Sequence, residues 1–199
     1  LQPPVGRTLL LTKLDERAAY DGIAYPLFAD RWSGGRVEPE GTCHLERFCL
    51  EGTTPVWTFA LADALLEKRV WMQHGANTTY IRYDFCRGSG PLALSIKAMV
   101  NCRDHHANTR AGDLEIEVER APHGLLVRPH GGEPFYVLSD GAAATPQREW
   151  VTGYYLSIED YRGLDPLDDN LCAGAFEATL QPGGSLTLVA GTEPAPDLD

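Results

Sequence analysis

Hydrophobic positions along the chain recur with a period of two. The clearest case is residues 113–119, where apolar and acidic residues alternate strictly. The positions that would face a core are Leu114, Ile116 and Val118, and those that would face water are Glu115, Glu117 and Glu119. An extended chain places alternate side chains on opposite faces, so the pattern predicts a β-strand with one solvated face.

Similar runs follow one another along most of the chain. Residues 77–86 mix aromatic and β-branched residues, as long strands do. Further strand-like runs lie near residues 8–13, 43–50, 56–61, 65–73, 92–100, 124–128, 134–138, 150–157, 175–180 and 185–190. Turn residues separate many of these runs, as at residues 87–91, 121–124 and 181–184. The pattern predicts an all-β fold of two packed antiparallel sheets.

Two segments bear on the domain boundaries. Residues 61–68 fit a helical turn or a hairpin, and because both flanks have the strand pattern we predict a tight hairpin around Asp63 and Ala64. Residues 192–199 are acidic and rich in proline, which is typical of a linker. We therefore expect one sandwich domain over residues 1–191, followed by a linker toward a downstream domain.

The composition suits a single folded domain and excludes some partners. The chain has 199 residues, of which 43% are hydrophobic, enough for a core. Its formal net charge is -11, and a field of that sign repels phosphate backbones and anionic lipid. No apolar stretch approaches the roughly 20 residues that a membrane helix needs. We expect neither nucleic acid nor a membrane as a partner.

The cysteines bear on the compartment. They number five and are irregularly spaced, at Cys43, Cys49, Cys86, Cys102 and Cys172. This pattern favours neither a disulfide framework nor a zinc site. We expect buried free thiols in a reducing cytoplasm. Since the chain starts at Leu1 without a methionine, we also expect that something upstream has been removed.

A search for catalytic groups finds no convincing pair. Glycoside hydrolysis needs two carboxyl groups roughly 5–10 Å apart, one of them held protonated. The glutamates of residues 113–119 and the adjacent acids Glu159–Asp160 and Asp168–Asp169 are all expected to be exposed. A nucleophile elbow, a phosphate loop and a zinc-protease motif are also missing from the sequence. We predict no catalytic residue, no metal and no cofactor in this chain.

One dense polar group follows the apolar run that ends at Val100. It consists of Asn101, Arg103, Asp104, His105 and His106. Such a strand end is suited to binding sugar hydroxyls or to contacting another domain. The alternative is structural, with an Arg–Asp pair that fixes a loop and histidines that cap backbone groups. A metal site involving Cys102 is disfavoured, and the residues alone leave the other two interpretations open.

Aromatic residues offer a second route to sugar binding. Trp32 precedes Ser33-Gly34-Gly35 in a predicted loop and is the candidate stacking platform. The tryptophans in strand-like runs are expected in the core, namely Trp57, Trp71 and Trp150. Lys68 and Arg69 are expected to form an exposed charged pair that adds little stability.

Several segments together resemble the N-terminal domain of bacterial and archaeal glycogen debranching enzymes of the amylo-α-1,6-glucosidase type. They are residues 3–16, the run Pro-Val-Trp-Thr-Phe (55–59) with Leu-Glu-Lys-Arg-Val-Trp-Met (66–72), Val-Asn-Cys-Arg-Asp-His-His (100–106), Arg-Gly-Leu-Asp (162–165), and residues 180–190. The order and spacing match over nearly the whole chain. The family's stretch before Leu1 is missing, and the loop after Asp165 departs from the family pattern.

The resemblance implies a β-supersandwich that precedes an (α/α)6 barrel, and the barrel holds the active site. No part of this chain has the helical pattern of such a barrel. The implied function is therefore a non-catalytic N-terminal domain that braces the barrel and helps to shape a cleft for glycogen or another branched α-glucan, with residues 101–106 toward the barrel. An independent carbohydrate-binding module and a purely structural or oligomerising sandwich stay open as alternatives.

Overall fold

A computed structural model describes residues 6–194 and 196–198, and within them the chain forms two antiparallel sheets, as predicted. The first seven strands are β1 (Thr8–Tyr20), β2 (Ile23–Pro26), β3 (Leu45–Glu51), β4 (Thr54–Leu61), β5 (Ala64–Met72), β6 (Thr78–Arg87) and β7 (Leu92–Asp104). The remaining strands are β8 (Ile116–Ala121), β9 (Gly124–Pro129), β10 (Phe135–Ser139), β11 (Ala143–Tyr155), β12 (Leu167–Leu180) and β13 (Ser185–Gly191). Two short helices complete the described elements, a 3-10 helix at Gly41–His44 and α1 at Ser157–Tyr161.

The two sheets share one core. The five-stranded sheet has the order β11-β12-β7-β1-β2, and the eight-stranded sheet has the order β3-β4-β5-β6-β13-β10-β9-β8. Alternate residues of each strand point between the sheets, as two-residue periodicity requires. In β7 these are Leu92, Leu94, Ile96, Ala98 and Val100, all fully buried. Burial of a leucine, isoleucine or valine side chain stabilises a fold by about 1.5–3 kcal/mol.

The hairpin around Asp63 is confirmed, and several element boundaries differ from the prediction. Ala62 adopts a φ of 55° in the turn between β4 and β5. β11 begins at Ala143 and not near residue 150, and α1 follows it from Ser157. β12 begins at Leu167, although residues 168–170 are polar. These polar residues are bonded on both sides of the strand, as described below.

Two expectations about individual side chains are wrong. Lys68 lies on the inner face of β5, between the core residues Leu66 and Val70, and its ammonium group pairs with the buried Glu16. The expectation of buried thiols fails for Cys43 and Cys86, which are exposed. The Lys68 pair is not visible from the sequence, because Glu16 is 52 residues away from Lys68 along the chain.

In the part of the chain that the structure describes, no helix is long and apolar enough to cross a bilayer. The predicted linker includes Ala195 and Asp199, which lie outside the described residues.

Candidate functional site

The predicted polar group begins at the end of β7, where Asn101 is fully buried. Its amide nitrogen donates to the backbone oxygen of Asp169 at 2.9 Å and to Oδ1 of Asn170 at 3.1 Å. Its own Oδ1 accepts from the Thr109 hydroxyl at 2.8 Å and from the Cys102 N–H at 2.9 Å. Asn101 therefore joins β7 to β12 and to the loop that follows β7, and it has little capacity left for a ligand.

Arg103 forms its ion pair with Asp168 and not with the adjacent Asp104. Arg103 Nη2 lies 3.0 Å from Asp168 Oδ2, and the carboxylate is 2% exposed. The other oxygen of Asp168 accepts the Thr109 N–H at 2.8 Å. The expectation that Asp168 and Asp169 are exposed loop acids is wrong, because both are buried residues of β12.

Asp169 completes the connection to a third segment. Its Oδ2 accepts the N–H of Ala111 at 2.8 Å, and its Oδ1 accepts the N–H of Gly153 at 2.8 Å. The three consecutive polar residues 168–170 therefore bind the loop after β7, the end of β11 and, through Asn170, the hydroxyl of Thr12. Sequence reasoning missed these residues. The only signal was a run of three polar residues directly before the apolar stretch that starts at Leu171.

The tip of the loop carries Asp104, His105 and His106. The His106 N–H donates to Asp104 Oδ1 at 2.9 Å, and this hydrogen bond is the main reason why the pKa of the Asp104 carboxyl is lowered. The two imidazole rings are in contact, with centroids 3.8 Å apart. The His105 N–H donates to the Arg7 carbonyl at 3.2 Å. The tip is thus held by Asp104 at the end of β7 and by Arg7, which directly precedes β1, while the His106 side chain stays exposed.

A mostly apolar groove of 410 Å³ lies beside this tip. Arg7, which accepts the His105 N–H, is part of its wall. The apolar side chains of the lining are Leu9, Leu10, Leu11, Met72, Phe135 and Ala190. Met72 is 66% exposed, whereas Phe135 is 1% exposed. The groove also includes Gly191, the last residue of β13.

Trp32 lies in a different cluster. Its indole stacks on the ring of Tyr154, with centroids 4.9 Å apart and planes at 27°. The indole N–H donates to the Glu38 carbonyl at 2.8 Å. Burial raises the pKa of the Tyr154 hydroxyl well above its ordinary value. Trp32 thus packs with Tyr154, and the neighbouring Ser33 N–H connects it to the polar network by donating to the Gly153 carbonyl at 2.8 Å.

The arrangement has the chemistry of a structural network. The carboxylates of Asp168 and Asp169 are both occupied by backbone N–H groups, and the first also by a guanidinium group. Among residues 6–194 and 196–198, no group of three or more His, Cys, Asp or Glu side chains is placed to hold a metal ion. The predicted site therefore divides into two anchors, the buried Asn101 and the half-buried Arg103, and a tip at which Asp104 and His106 are exposed.

Fold and site together define a two-sheet β-sandwich domain with a polar network that fixes one loop. A family model described as "Glycogen debranching enzyme N terminal" matches residues 1–187. The chain belongs to this family, which confirms the resemblance found in the sequence. A comparison with curated proteins found no match.

Proposed function

We propose that this chain is the non-catalytic N-terminal domain of an amylo-α-1,6-glucosidase, and that it braces an (α/α)6 catalytic barrel and helps to shape the cleft for a branched α-glucan. The observation that carries the proposal is the position of the loop tip at residues 104–106, where His106 is exposed, directly beside an apolar groove. A fixed polar tip suits contact with sugar hydroxyls, and an apolar groove suits contact with another domain.

The rigidity of the tip supports a role in shaping a cleft. Asn101 and the Arg103–Asp168 pair anchor its base, and Arg110 pairs with Asp165 on the far side of the loop. A group that positions a substrate must itself be held by its neighbours, since small displacements are costly to catalysis. This network therefore has a purpose beyond stability, which is to present His106 in one orientation.

The groove supports the barrel as the partner. Apolar surface is normally covered when it forms a broad patch, and domain interfaces bury such patches. Because β13 ends at Gly191 in the groove wall, the polypeptide that continues from β13 emerges beside the groove. The exposed thiols of Cys43 and Cys86 also suit the reducing cytoplasm that we propose as the compartment.

An independent carbohydrate-binding module has less support. Trp32, its candidate platform, already stacks on Tyr154 and uses its N–H on Glu38. Among the described residues that line the groove, the only aromatic side chain is that of Phe135, which is 1% exposed. A sugar-stacking site needs an accessible flat ring, and neither residue offers an open one.

The barrel interface is tested by Met72→Lys. We expect this change to weaken the binding of this chain to the helical domain of the same polypeptide by about tenfold or more, because it places a charge where the interface would bury an apolar side chain. Ile158→Lys on α1 is the matched control, since Ile158 is 67% exposed and Met72 is 66% exposed. Titration calorimetry with separately produced domains measures the affinity. Equal affinities for both variants would contradict the assigned interface.

The cleft is tested by His106→Ala in the assembled enzyme. We expect KM for a branched limit dextrin to rise about 3- to 10-fold, as for the loss of one or two hydrogen bonds, with the melting temperature unchanged. A KM within error of the parent enzyme would argue against a role in the cleft. Glucose release from limit dextrin by this chain alone would overturn the non-catalytic assignment. Millimolar maltooligosaccharide binding by this chain, lost in Trp32→Ala, would favour the binding module.

A further inference from the structure

Strand β3 forms one edge of the eight-stranded sheet, and its outer side is open. Its residues pair with β4, and no other pairing of β3 is found among the described residues. Two of its apolar side chains are unusually exposed for a strand, Phe48 at 52% and Leu50 at 62%. An open edge of this kind can accept another strand.

The register with β4 determines which backbone groups are free. Gly52 and Thr53 form the two-residue turn, so Glu51 and Thr54 close the hairpin as a hydrogen-bonded pair. Bonded and non-bonded pairs then alternate along an antiparallel ladder. The N–H and C=O groups of Glu51, Cys49 and Arg47 therefore point toward β4, and those of Phe48 and Leu50 point to the open side.

We propose that β3 pairs antiparallel with β3 of a second copy of this chain, with Cys49 facing Cys49 of the second copy across a two-fold axis. In this register Phe48 faces Leu50 of the second copy, and the free backbone groups of both residues are bonded. Directly opposite residues share a face, so the two apolar pairs bury one another. If the second strand were shifted by one residue, the free backbone groups of Phe48 and Leu50 would face backbone groups that are already bonded to β4.

Charge favours the register with the two-fold axis at Cys49 over the registers with the axis at Phe48 or Leu50. Arg47 faces Glu51 of the second copy, and the symmetry repeats the pair, so two opposite-charge pairs form. A two-fold axis at Phe48 would place Arg47 opposite Cys49, and an axis at Leu50 would place Glu51 opposite Cys49. The side chains of Arg47 and Glu51 are 58% and 52% exposed. Within the chain Arg47 lies 3.7 Å from Glu67, and Glu51 pairs with Arg69, so the contacts with the second copy extend two existing ion pairs across the edge.

The contact is small and therefore weak. The contact consists of two Phe48–Leu50 pairs, which are both backbone-bonded and apolar, and of two exposed ion pairs. Its size is at the low end of known interfaces, so we expect self-association at roughly 100 µM protein. The proposal does not depend on the glucosidase assignment, because the groove lining includes no residue of β3.

Sedimentation velocity on the 199-residue chain tests the charge pairing. We expect the weight-average sedimentation coefficient to rise with concentration in the parent chain under reducing conditions. Arg47→Glu and Glu51→Arg should each abolish the rise, and the double reversal should restore it. Glu119→Arg on β8, at the opposite edge of the same sheet, is the control and should leave the rise unchanged. Circular dichroism confirms that each variant is folded.

Disulfide trapping tests the two-fold axis directly. Cys49 residues opposite each other in a non-bonded pair lie about 4.5 Å apart at Cα, within the range of a disulfide. With copper phenanthroline and dioxygen as the oxidant, the two thiols lose two protons and two electrons to form one S–S bond. We expect a covalent dimer that is lost in Cys49→Ser and kept in Cys43→Ser and Cys86→Ser, whose thiols are the more exposed ones.

Three results would overturn the proposal. One is a sedimentation coefficient that stays monomeric at all concentrations. Another is self-association that the single charge reversals leave intact. The third is a covalent dimer that survives Cys49→Ser and depends on Cys43 or Cys86.

Discussion

Replacing Arg103 with methionine is expected to destabilise this domain by about 3–5 kcal/mol, because it leaves a buried carboxylate without its cation. Asp168 is 2% exposed, and Arg103 Nη2 lies 3.0 Å from it. Methionine keeps much of the aliphatic volume of arginine, so lost packing contributes little to the effect. Urea unfolding of the 199-residue chain, followed by circular dichroism, measures the free energy of unfolding.

A second ion pair supplies the control for this change. Arg162 and Glu159 lie 3.3 Å apart, with side chains 52% and 29% exposed, and such a pair is worth about 0–1 kcal/mol. Arg162→Met should therefore be nearly neutral. Adding Asp168→Asn to Arg103→Met should recover part of the loss, since the unpaired charge is gone. If Arg103→Met costs no more than Arg162→Met, Asp168 does not depend on its partner.

The same variant separates a structural role from a functional one. In the assembled glucosidase, a purely structural network would lower the melting temperature and leave the turnover of the folded enzyme intact. If the network also orients His106 toward the cleft, as we propose, the KM of the folded enzyme for a branched α-glucan rises as well. Both quantities are measured below the lowered melting temperature.

Most strands were predictable because they obey a simple rule. A strand with one face in the core and one in water alternates apolar and polar residues, and β8 follows this rule from Ile116 onward. The hairpin between β4 and β5 was also predictable, since both flanks have the strand pattern. Local patterns were sufficient in these places, because the burial of each residue follows from its own position in the strand.

The rule fails where both faces of a strand are covered. Consecutive residues at the start of β12 are buried, so both of its faces are covered there, and the loop after β7 and Gly153 both bind Asp169. Its first residues are therefore buried and polar, so they have no alternation and resemble a loop in the sequence. The polar group from Asn101 to His106 was predictable from the sequence, but the sequence did not identify the acid that pairs with Arg103. Its true partner is 65 residues away, which local reasoning cannot reach.

Lys68 is the second residue whose ionic partner is distant in the sequence. Lys68→Met is expected to lower the free energy of unfolding by about 3–5 kcal/mol, because it leaves the buried Glu16 carboxylate without its cation. The Glu16 side chain is 3% exposed between the sheets, where the Lys68 ammonium group binds it and Tyr83 donates its hydroxyl at 2.9 Å. Burial raises the pKa of Tyr83, so this hydroxyl stays a donor. Thermal and urea unfolding of the chain measure the loss.

A double-mutant cycle with Glu16→Gln identifies the cause of that loss. Glutamine keeps an oxygen that accepts from Tyr83 but carries no charge, so Lys68→Met should cost much less in the Glu16→Gln background. Arg82→Met is the control, since Arg82 is 39% exposed beside Asp84 on the outer face and should cost about 1 kcal/mol or less. Equal costs of Lys68→Met in both backgrounds would show that lost packing, and not an unpaired carboxylate, destabilises the variant.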